Sequence, residues 1–141
     1  GEYIEGREFY IGVLGNLDAQ ALPPIELDFS QLPDNQPHVY GSEEKWDEKS
    51  KVKAIVADIP DELRARLQKV SLDAYRLLRV RDYGRVDLRV AETGDIYVLE
   101  VNASCYLADG DEFSMAAKEA GIEYDELIDQ IATKAMARYG K

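Results

Sequence analysis

Two acids, an amide and an arginine stand at alternating positions in two neighbouring stretches of the chain. Arg85 and Asp87 lie in the first stretch, and Glu100 and Asn102 lie in the second. Both stretches alternate polar and apolar residues with the two-residue period of a half-buried strand. Carboxylate and amide oxygens are the ligands that Mg²⁺ prefers, and Mg²⁺ often carries nucleotide phosphates. We therefore interpret these residues as a candidate metal–phosphate site.

The residues between the two stretches predict that they form a β-hairpin. Thr93-Gly94 is a pair with turn chemistry. If this pair forms the loop, Asp87 lies opposite Glu100, and the same register sets Arg85 opposite Asn102. The other face then pairs apolar residues, namely Val86 with Val101, Leu88 with Leu99, and Val90 with Tyr97. Because like charges directly across a ladder are destabilising, the two facing acids call for a cation between them.

A simpler interpretation of the same residues is the charged solvent face of a hairpin. In that case Arg85 and Arg89 serve only to neutralise the two acids. The order Arg-x-Asp followed by Glu-x-Asn favours the metal site, because a solvent face more often alternates lysine and glutamate.

Composition limits the class of protein and the kind of metal. A chain of 141 residues corresponds to one domain that can bury a core. Its net charge of −11 argues against binding nucleic acid through bulk positive charge and fits an acidic cytoplasmic protein. The single cysteine, Cys105, and the single histidine, His38, exclude a cysteine-based zinc site and a histidine-rich centre. No apolar run is long enough for a transmembrane helix, so we expect no membrane partner.

The order of the predicted elements indicates an α+β fold. Asp58 is predicted to cap the first helix, and Gly121 to end the second. We expect an antiparallel sheet with helices packed on one side. The elements, in chain order, are strands at 7–14 and 24–29, a long loop or lid at 30–50, a helix from Asp58 to about Leu78, the hairpin, and helices at 112–120 and 125–139.

Six short segments of the chain form a distinctive series, namely YIEGREF at 3–9, LPPIE at 22–26, EKW at 44–46, RVD at 85–87, LEVN at 99–102 and AAKEAGI at 116–122. In order and in spacing, over nearly the whole chain, this series resembles the C-terminal part of D-alanine–D-alanine ligases, which belong to the ATP-grasp superfamily. The resemblance implies a single partial domain, residues 1–141, that forms the C-terminal lobe of an ATP-grasp domain whose N-terminal and central lobes are absent from this sequence.

The resemblance implies roles for residues that would contact the nucleotide. Glu8 would hydrogen-bond the ribose of ATP, and the backbone of Tyr3 and Ile4 would contact the edge of the adenine. Leu99 would lie beneath the base. Lys45 would belong to a mobile loop that closes over the phosphates.

The resemblance also implies the metal ligands and the residue beside the reacting group. Asp87 and Glu100 would bind one Mg²⁺, and Glu100 and Asn102 a second, with Mn²⁺ as an alternative ion. Arg85 would lie beside the transferred phosphoryl group. The residues that the predicted hairpin brings together are therefore those of the family's metal site.

The implied function is an ATP-dependent ligase that joins a carboxylate to an amine through an acyl phosphate. Its partners would be small-molecule substrates and the remaining lobes of the same polypeptide, with a homodimer as an open alternative. The segment after Asn102, residues 103–107, lacks the glycine of the ligases and carries Tyr106. A ligase with a different substrate pair and a non-catalytic acidic interaction module therefore stay open as alternatives. We expect the isolated chain to be inactive or nearly so.

Overall fold

The computed structural model describes residues 6–29 and 52–140. In these two ranges the chain forms a six-stranded antiparallel sheet and three helices. The strand order is β4-β3-β1-β5-β6, and β2 pairs with β1 outside this path. The elements are β1 (Gly6–Leu14), β2 (Gln20–Ala21), β3 (Ile25–Asp28), β4 (Lys53–Val56), α1 (Asp61–Leu77), β5 (Tyr83–Ala91), β6 (Ile96–Asn102), α2 (Glu112–Glu119) and α3 (Tyr124–Tyr139).

The central strands β1 and β5 are covered on both faces. They pair along their full length, from Gly6 opposite Ala91 to Leu14 opposite Tyr83. β1 is buried from Glu8 to Leu14. A strand that is buried on both faces reads as a continuous apolar run, as this one largely does.

Two hydrophobic cores lie on opposite faces of the sheet, because successive strand residues point in opposite directions. In one core, Phe9 and Ile11 pack with Leu67 of α1. In the other, Tyr10 packs with Phe113 of α2, and Leu127 of α3 belongs to the same cluster. The α+β class and the antiparallel sheet are confirmed. The helices do not share one side, because the central strands have two apolar faces to cover.

The helix boundaries agree with the sequence except at the start of α1. Pro60, not Asp58, occupies the N-cap, and no side chain caps the helix by hydrogen bonding. α2 ends at the C-cap Ala120, and Gly121 follows with a φ of 87°. That conformation favours glycine, which explains why the chain leaves the helix there.

The β5–β6 hairpin has a three-residue loop, and the predicted two-residue loop was wrong. The Ala91 N–H donates to the Asp95 carbonyl at 2.9 Å, and the Gly94 N–H donates to the Ala91 carbonyl at 2.8 Å. Gly94 has a φ of 92°. A three-residue loop that ends on a glycine of positive φ is a common hairpin connection.

The longer loop shifts the register near the turn. Leu88 pairs with Val98, Arg89 with Tyr97, and Val90 with Ile96. The predicted pairs Leu88–Leu99 and Val90–Tyr97 were therefore wrong. A β-bulge then places one extra residue, Leu99, in β6 and restores the predicted register beyond it. Asp87 lies opposite Glu100, Val86 opposite Val101, and Arg85 opposite Asn102, as expected.

Two short strands, β2 and β4, were not predicted, and the predicted loop at 30–50 lies outside the described residues. None of the helices in residues 6–29 and 52–140 has the length and apolar character needed to cross a membrane.

Candidate functional site

Asp87 is the centre of the polar cluster on the hairpin. The Arg85 Nε donates to its Oδ1 at 2.8 Å, and the Arg85 Nη2 donates to its Oδ2 at 3.2 Å. The Asn102 Nδ2 also donates to the Oδ2, at 3.2 Å. The Arg85 guanidinium lies over the ring of Tyr10, with its central carbon 4.0 Å from the ring centroid. Arg85 is thus fixed on one side by a carboxylate and on the other by an aromatic face.

Burial raises the pKa of Asp87 to about 6. The side chain of this residue has lost most of its contact with water, and burial disfavours the charged form of a carboxyl group. Arg85 acts in the opposite direction, whereas the charges of Glu100 and Glu8 raise the pKa further. A second cation near Asp87 and Glu100 would lower the free energy of the ionised pair.

The donor set on this face suits a hard divalent cation. Glu100 is exposed and lies directly opposite Asp87 in the ladder, and Asn102 lies two residues farther along β6. Two carboxylates and an amide oxygen are hard donors, which is the chemistry of Mg²⁺ or Mn²⁺ sites. In the part of the chain that the structure describes, no group of three His, Cys, Asp or Glu side chains is arranged to hold a metal. Further oxygen ligands would therefore come from water or from a bound phosphate.

Glu8 lies on the same face, one strand away from Asp87 in the sheet. It is 5% exposed and forms an ion pair with Arg89, its ladder partner on β5. Glu8 is therefore not an exposed surface acid. Its buried carboxylate lies on the same face of the sheet as the candidate metal ligand Asp87.

Leu99 forms the bulge between the carboxylate pair and the turn. It is 45% exposed, and the preceding residues Tyr97 and Val98 are also exposed. β6 is an edge strand, so the described part of the sheet leaves this apolar stretch next to Glu100 uncovered. Bulges of this kind often lie beside functional sites, where they redirect a side chain.

Three predicted site residues cannot be placed. Tyr3, Ile4 and Lys45 lie outside the described residues, and so do His38 and Trp46. Their expected contacts stay predictions.

Two residues of the cluster were missed by the sequence analysis as site residues. Tyr10 supports Arg85 through its ring, and Arg89, 2% exposed, pairs with Glu8. The two-residue period of the strands could have indicated both residues. Arg89, for example, lies two residues from Asp87 in β5 and therefore on the same face of the sheet. Cys105 is half-buried, and burial raises its pKa to about 11, which agrees with a packing role rather than a nucleophile.

Comparison with known proteins gives the family. The family described as "D-ala D-ala ligase C-terminus" matches residues 1–133. The chain belongs to the D-alanine–D-alanine ligase C-terminal family.

Individual relatives match this chain along nearly its whole length. The D-alanine–D-alanine ligase of a Marinomonas species is 35% identical over 140 residues, which cover 99% of this chain and 42% of the relative. An uncharacterized protein of Sinorhizobium fredii is 34% identical over 139 residues, covering 98% of this chain and 40% of the relative. This chain therefore spans about two fifths of the length of the curated relatives it matches.

A solved ligase structure shares the fold. The crystal structure of the D-alanine–D-alanine ligase from Bacillus anthracis in complex with ATP superposes with a TM-score of 0.74 at 27% identity. The match covers 96% of this chain and 40% of that protein. The expected fold, a C-terminal ATP-grasp lobe, is confirmed.

Proposed function

We propose that this chain forms the metal-binding wall of the nucleotide site in an ATP-dependent carboxylate–amine ligase. The observation that carries the proposal is the register of the hairpin. It sets Asp87 opposite Glu100 and Arg85 opposite Asn102, in a chain that belongs to a ligase family. The rest of the ligase would supply the facing wall, since this chain corresponds to about two fifths of its curated relatives.

Asp87, Glu100 and Asn102 are the residues that would hold Mg²⁺ or Mn²⁺. Asp87 and Glu100 would share one ion, and Glu100 and Asn102 a second, so that Glu100 bridges. When bound, the ions supply positive charge that offsets the charge on the phosphates during transfer. The burial of Asp87 supports this role, because a desolvated carboxylate gains more from a cation than a hydrated one.

Arg85 would stabilise negative charge on the transferred phosphoryl group and on the oxyanion that follows. Its guanidinium is oriented before any ligand arrives, by two hydrogen bonds to Asp87 and by the ring of Tyr10. Groups that are already oriented toward developing charge need little rearrangement during the reaction. The substrate carboxylate would attack the terminal phosphate of ATP, which forms an acyl phosphate and releases ADP. An amine would then attack the acyl carbon and release inorganic phosphate, without a protein nucleophile.

The remaining nucleotide contacts would come from residues around this cluster. Glu8 would bind the ribose, with Arg89 fixing its carboxylate, and the exposed Leu99 would lie beneath the base. Tyr3 and Ile4 would contact the adenine, and Lys45 the phosphates.

The D-alanine–D-alanine ligases join two D-alanine molecules, as their name states, whereas this chain carries the exposed Tyr106 after the metal residues. We propose small-molecule carboxylate and amine substrates without naming the pair. A cytoplasmic location and a homodimer stay predictions.

Isothermal titration of Mg²⁺-ATP tests the proposal in the parent protein, that is, in the ligase polypeptide of which this chain would form one lobe. We expect Asp87→Asn and Glu100→Gln each to weaken nucleotide binding about tenfold or more and to abolish turnover, because each removes a ligand charge. Glu92→Gln, which removes an exposed acid in the loop of the same hairpin, should leave both unchanged. If the two variants bind and turn over ATP like the parent, the ligase site is not on this hairpin.

A further inference from the structure

A separate cavity lies where the end of α1 meets the turn between β1 and β2 and one face of α3. Its volume is about 750 Å³, which is within the range of small-molecule sites. Leu17, Val80 and Ala137 contribute apolar surface to its walls, together with Tyr75. The described lining residues include neither Asp87 nor Glu100, so this cavity is not part of the carboxylate site.

The charged residues of this cavity are mostly cations, although the protein as a whole is acidic. Five described lining residues are arginine or lysine and only one is acidic, in a chain whose net charge is −11. The acid, Asp18, accepts from Lys134 at 3.0 Å. Arg138 pairs with Asp82 at 2.8 Å. Two of the five cations are therefore matched by carboxylates.

The other three cations are Arg76, Arg79 and Arg81. All three are exposed, and within residues 6–29 and 52–140 none of them forms an ion pair or a side-chain hydrogen bond. Arg76 lies in the last turn of α1, where a cation also interacts favourably with the helix dipole. Arg79 and Arg81 follow the C-cap Leu78, and the charge of Arg81 lowers the pKa of the neighbouring Asp82.

Arg79 occupies a backbone position that favours glycine. It follows the C-cap Leu78 with a φ of 55°, and its N–H donates to the Arg76 carbonyl at 3.1 Å. A residue with a Cβ in this conformation costs about 1 kcal/mol relative to glycine. The chain thus keeps a cation at the mouth of the cavity at a position where glycine would be more stable.

We propose that this cavity binds a small organic phosphate. The dianionic phosphate would lie against the three arginines, and an apolar body would lie against Leu17 and Val80. A guanidinium donates two parallel hydrogen bonds to phosphate oxygens, which an ammonium cannot do. A dianion also satisfies several cations at once, whereas a single carboxylate leaves most of them without a counter-charge.

An NMR titration of the ¹⁵N-labelled chain tests this site with phenyl phosphate as the probe, at constant ionic strength. The probe carries no nucleoside and no polyphosphate, so its binding does not depend on the proposed ATP site. We expect saturable shifts of the backbone amides of Asn16, Arg76, Arg79 and Ala137. Phenol lacks the charge and benzoate carries only one, so both should bind at least about tenfold more weakly.

Two substitutions remove two of the three cations with little risk to the fold. Arg79→Gly relieves the positive φ, and Arg76→Gln changes an exposed residue in the last turn of α1. The double variant should bind phenyl phosphate at least about tenfold more weakly, while its amide spectrum shows a folded protein. Arg66→Gln removes a cation from the first half of the same helix and should leave the affinity unchanged.

Four outcomes would overturn the proposal. The first is that phenyl phosphate produces no saturable shift around the cavity, and the second is that the double variant binds it as tightly as the unmodified chain. The third is that Arg66→Gln weakens binding as much as the double variant, and the fourth is that benzoate binds as tightly as phenyl phosphate.

Discussion

At the scale of single residues, two aspartates of this chain show opposite electrostatic environments. The pKa of Asp87 is raised chiefly by burial, against the effect of Arg85. The pKa of Asp82 is lowered, chiefly by hydrogen bonds from Arg138 and with a further contribution from Asn16. Asp87, although paired with Arg85, is therefore suited to gain from a further cation, whereas the ion pair of Asp82 with Arg138 contributes to folding.

Asp82 makes the stability of the fold depend on pH. Because its pKa in the folded state is below the usual value of 3.8, the ion pair with Arg138 stabilises the protein fully above that value. The stabilisation is lost as the pH falls through the lower, folded-state pKa. We expect Asp82→Asn to reduce the free energy of unfolding at neutral pH and to reduce it less at each step below pH 4, as measured by urea denaturation.

Asparagine is a suitable replacement at this position because it tolerates the φ of 71° that Asp82 adopts. Asp73→Asn, which breaks the exposed ion pair with Lys69 on α1, serves as the control and should change stability by less than about 0.5 kcal/mol. A difference between Asp82→Asn and the unmodified chain that stays constant down to pH 3 would contradict the account.

At the scale of elements, the hairpin depends on two compensating irregularities. The loop has one residue more than predicted, and the bulge at Leu99 adds one residue to β6. Without the bulge, the register of the turn would continue along the ladder and separate Asp87 from Glu100. The site therefore depends on the loop conformation as well as on the residues that face each other.

Gly94 gives the loop this conformation through its positive φ. Replacing it with alanine would strain the backbone without causing a steric clash. A Cβ at Gly94 would meet nothing within 4 Å, but its φ is 92°. We expect Gly94→Ala to lower the free energy of unfolding by about 1 kcal/mol, measured by urea denaturation. Glu92→Ala in the same loop should have no comparable effect. Equal stability of Gly94→Ala and the unmodified chain would show that the loop does not require a positive φ.

The sequence was sufficient for the polar pairs of the hairpin but not for its details. The alternation of polar and apolar residues determines which side chains of β5 share a face, and this placed Asp87 opposite Glu100. A two-residue loop and a three-residue loop followed by a bulge give the same pairing beyond the bulge, so the pattern could not separate them. Arg89 was overlooked because an arginine in a strand ordinarily faces solvent, and its burial depends on Glu8 in a strand far away along the chain.

At the scale of the whole molecule, acidic residues outnumber basic ones and the net charge is −11. The chain has 28 acidic and 17 basic residues. Repulsion among like charges destabilises a compact state, and salt screens it over about 10 Å at 0.1 M. We expect the melting temperature to rise by about 4 °C or more between about 0.02 M and 0.2 M sodium chloride. A melting temperature that falls over this range would show that the ion pairs outweigh the repulsion.

The sequence was sufficient to predict the fold class, but not that helices pack on both faces of the sheet. Periodicity identified the long strands and the three helices of residues 6–29 and 52–140, and the family resemblance supplied the architecture. The apolar run of β1 already contained the information that both faces are buried, since Phe9 and Tyr10 both enter a core. The edge strand β4 was missed because most of its residues are exposed and it shows no alternation.

We propose above that Asp87, Glu100 and Asn102 bind the divalent cation of a nucleotide complex. Paramagnetic broadening by Mn²⁺ in the ¹⁵N-labelled chain locates the ion, since broadening falls steeply with distance from it. At substoichiometric Mn²⁺ we expect the amides of these three residues to broaden first, and this broadening to disappear in the Asp87→Asn, Glu100→Gln double variant. First broadening elsewhere on the acidic surface, or unchanged broadening in the double variant, would contradict the claim.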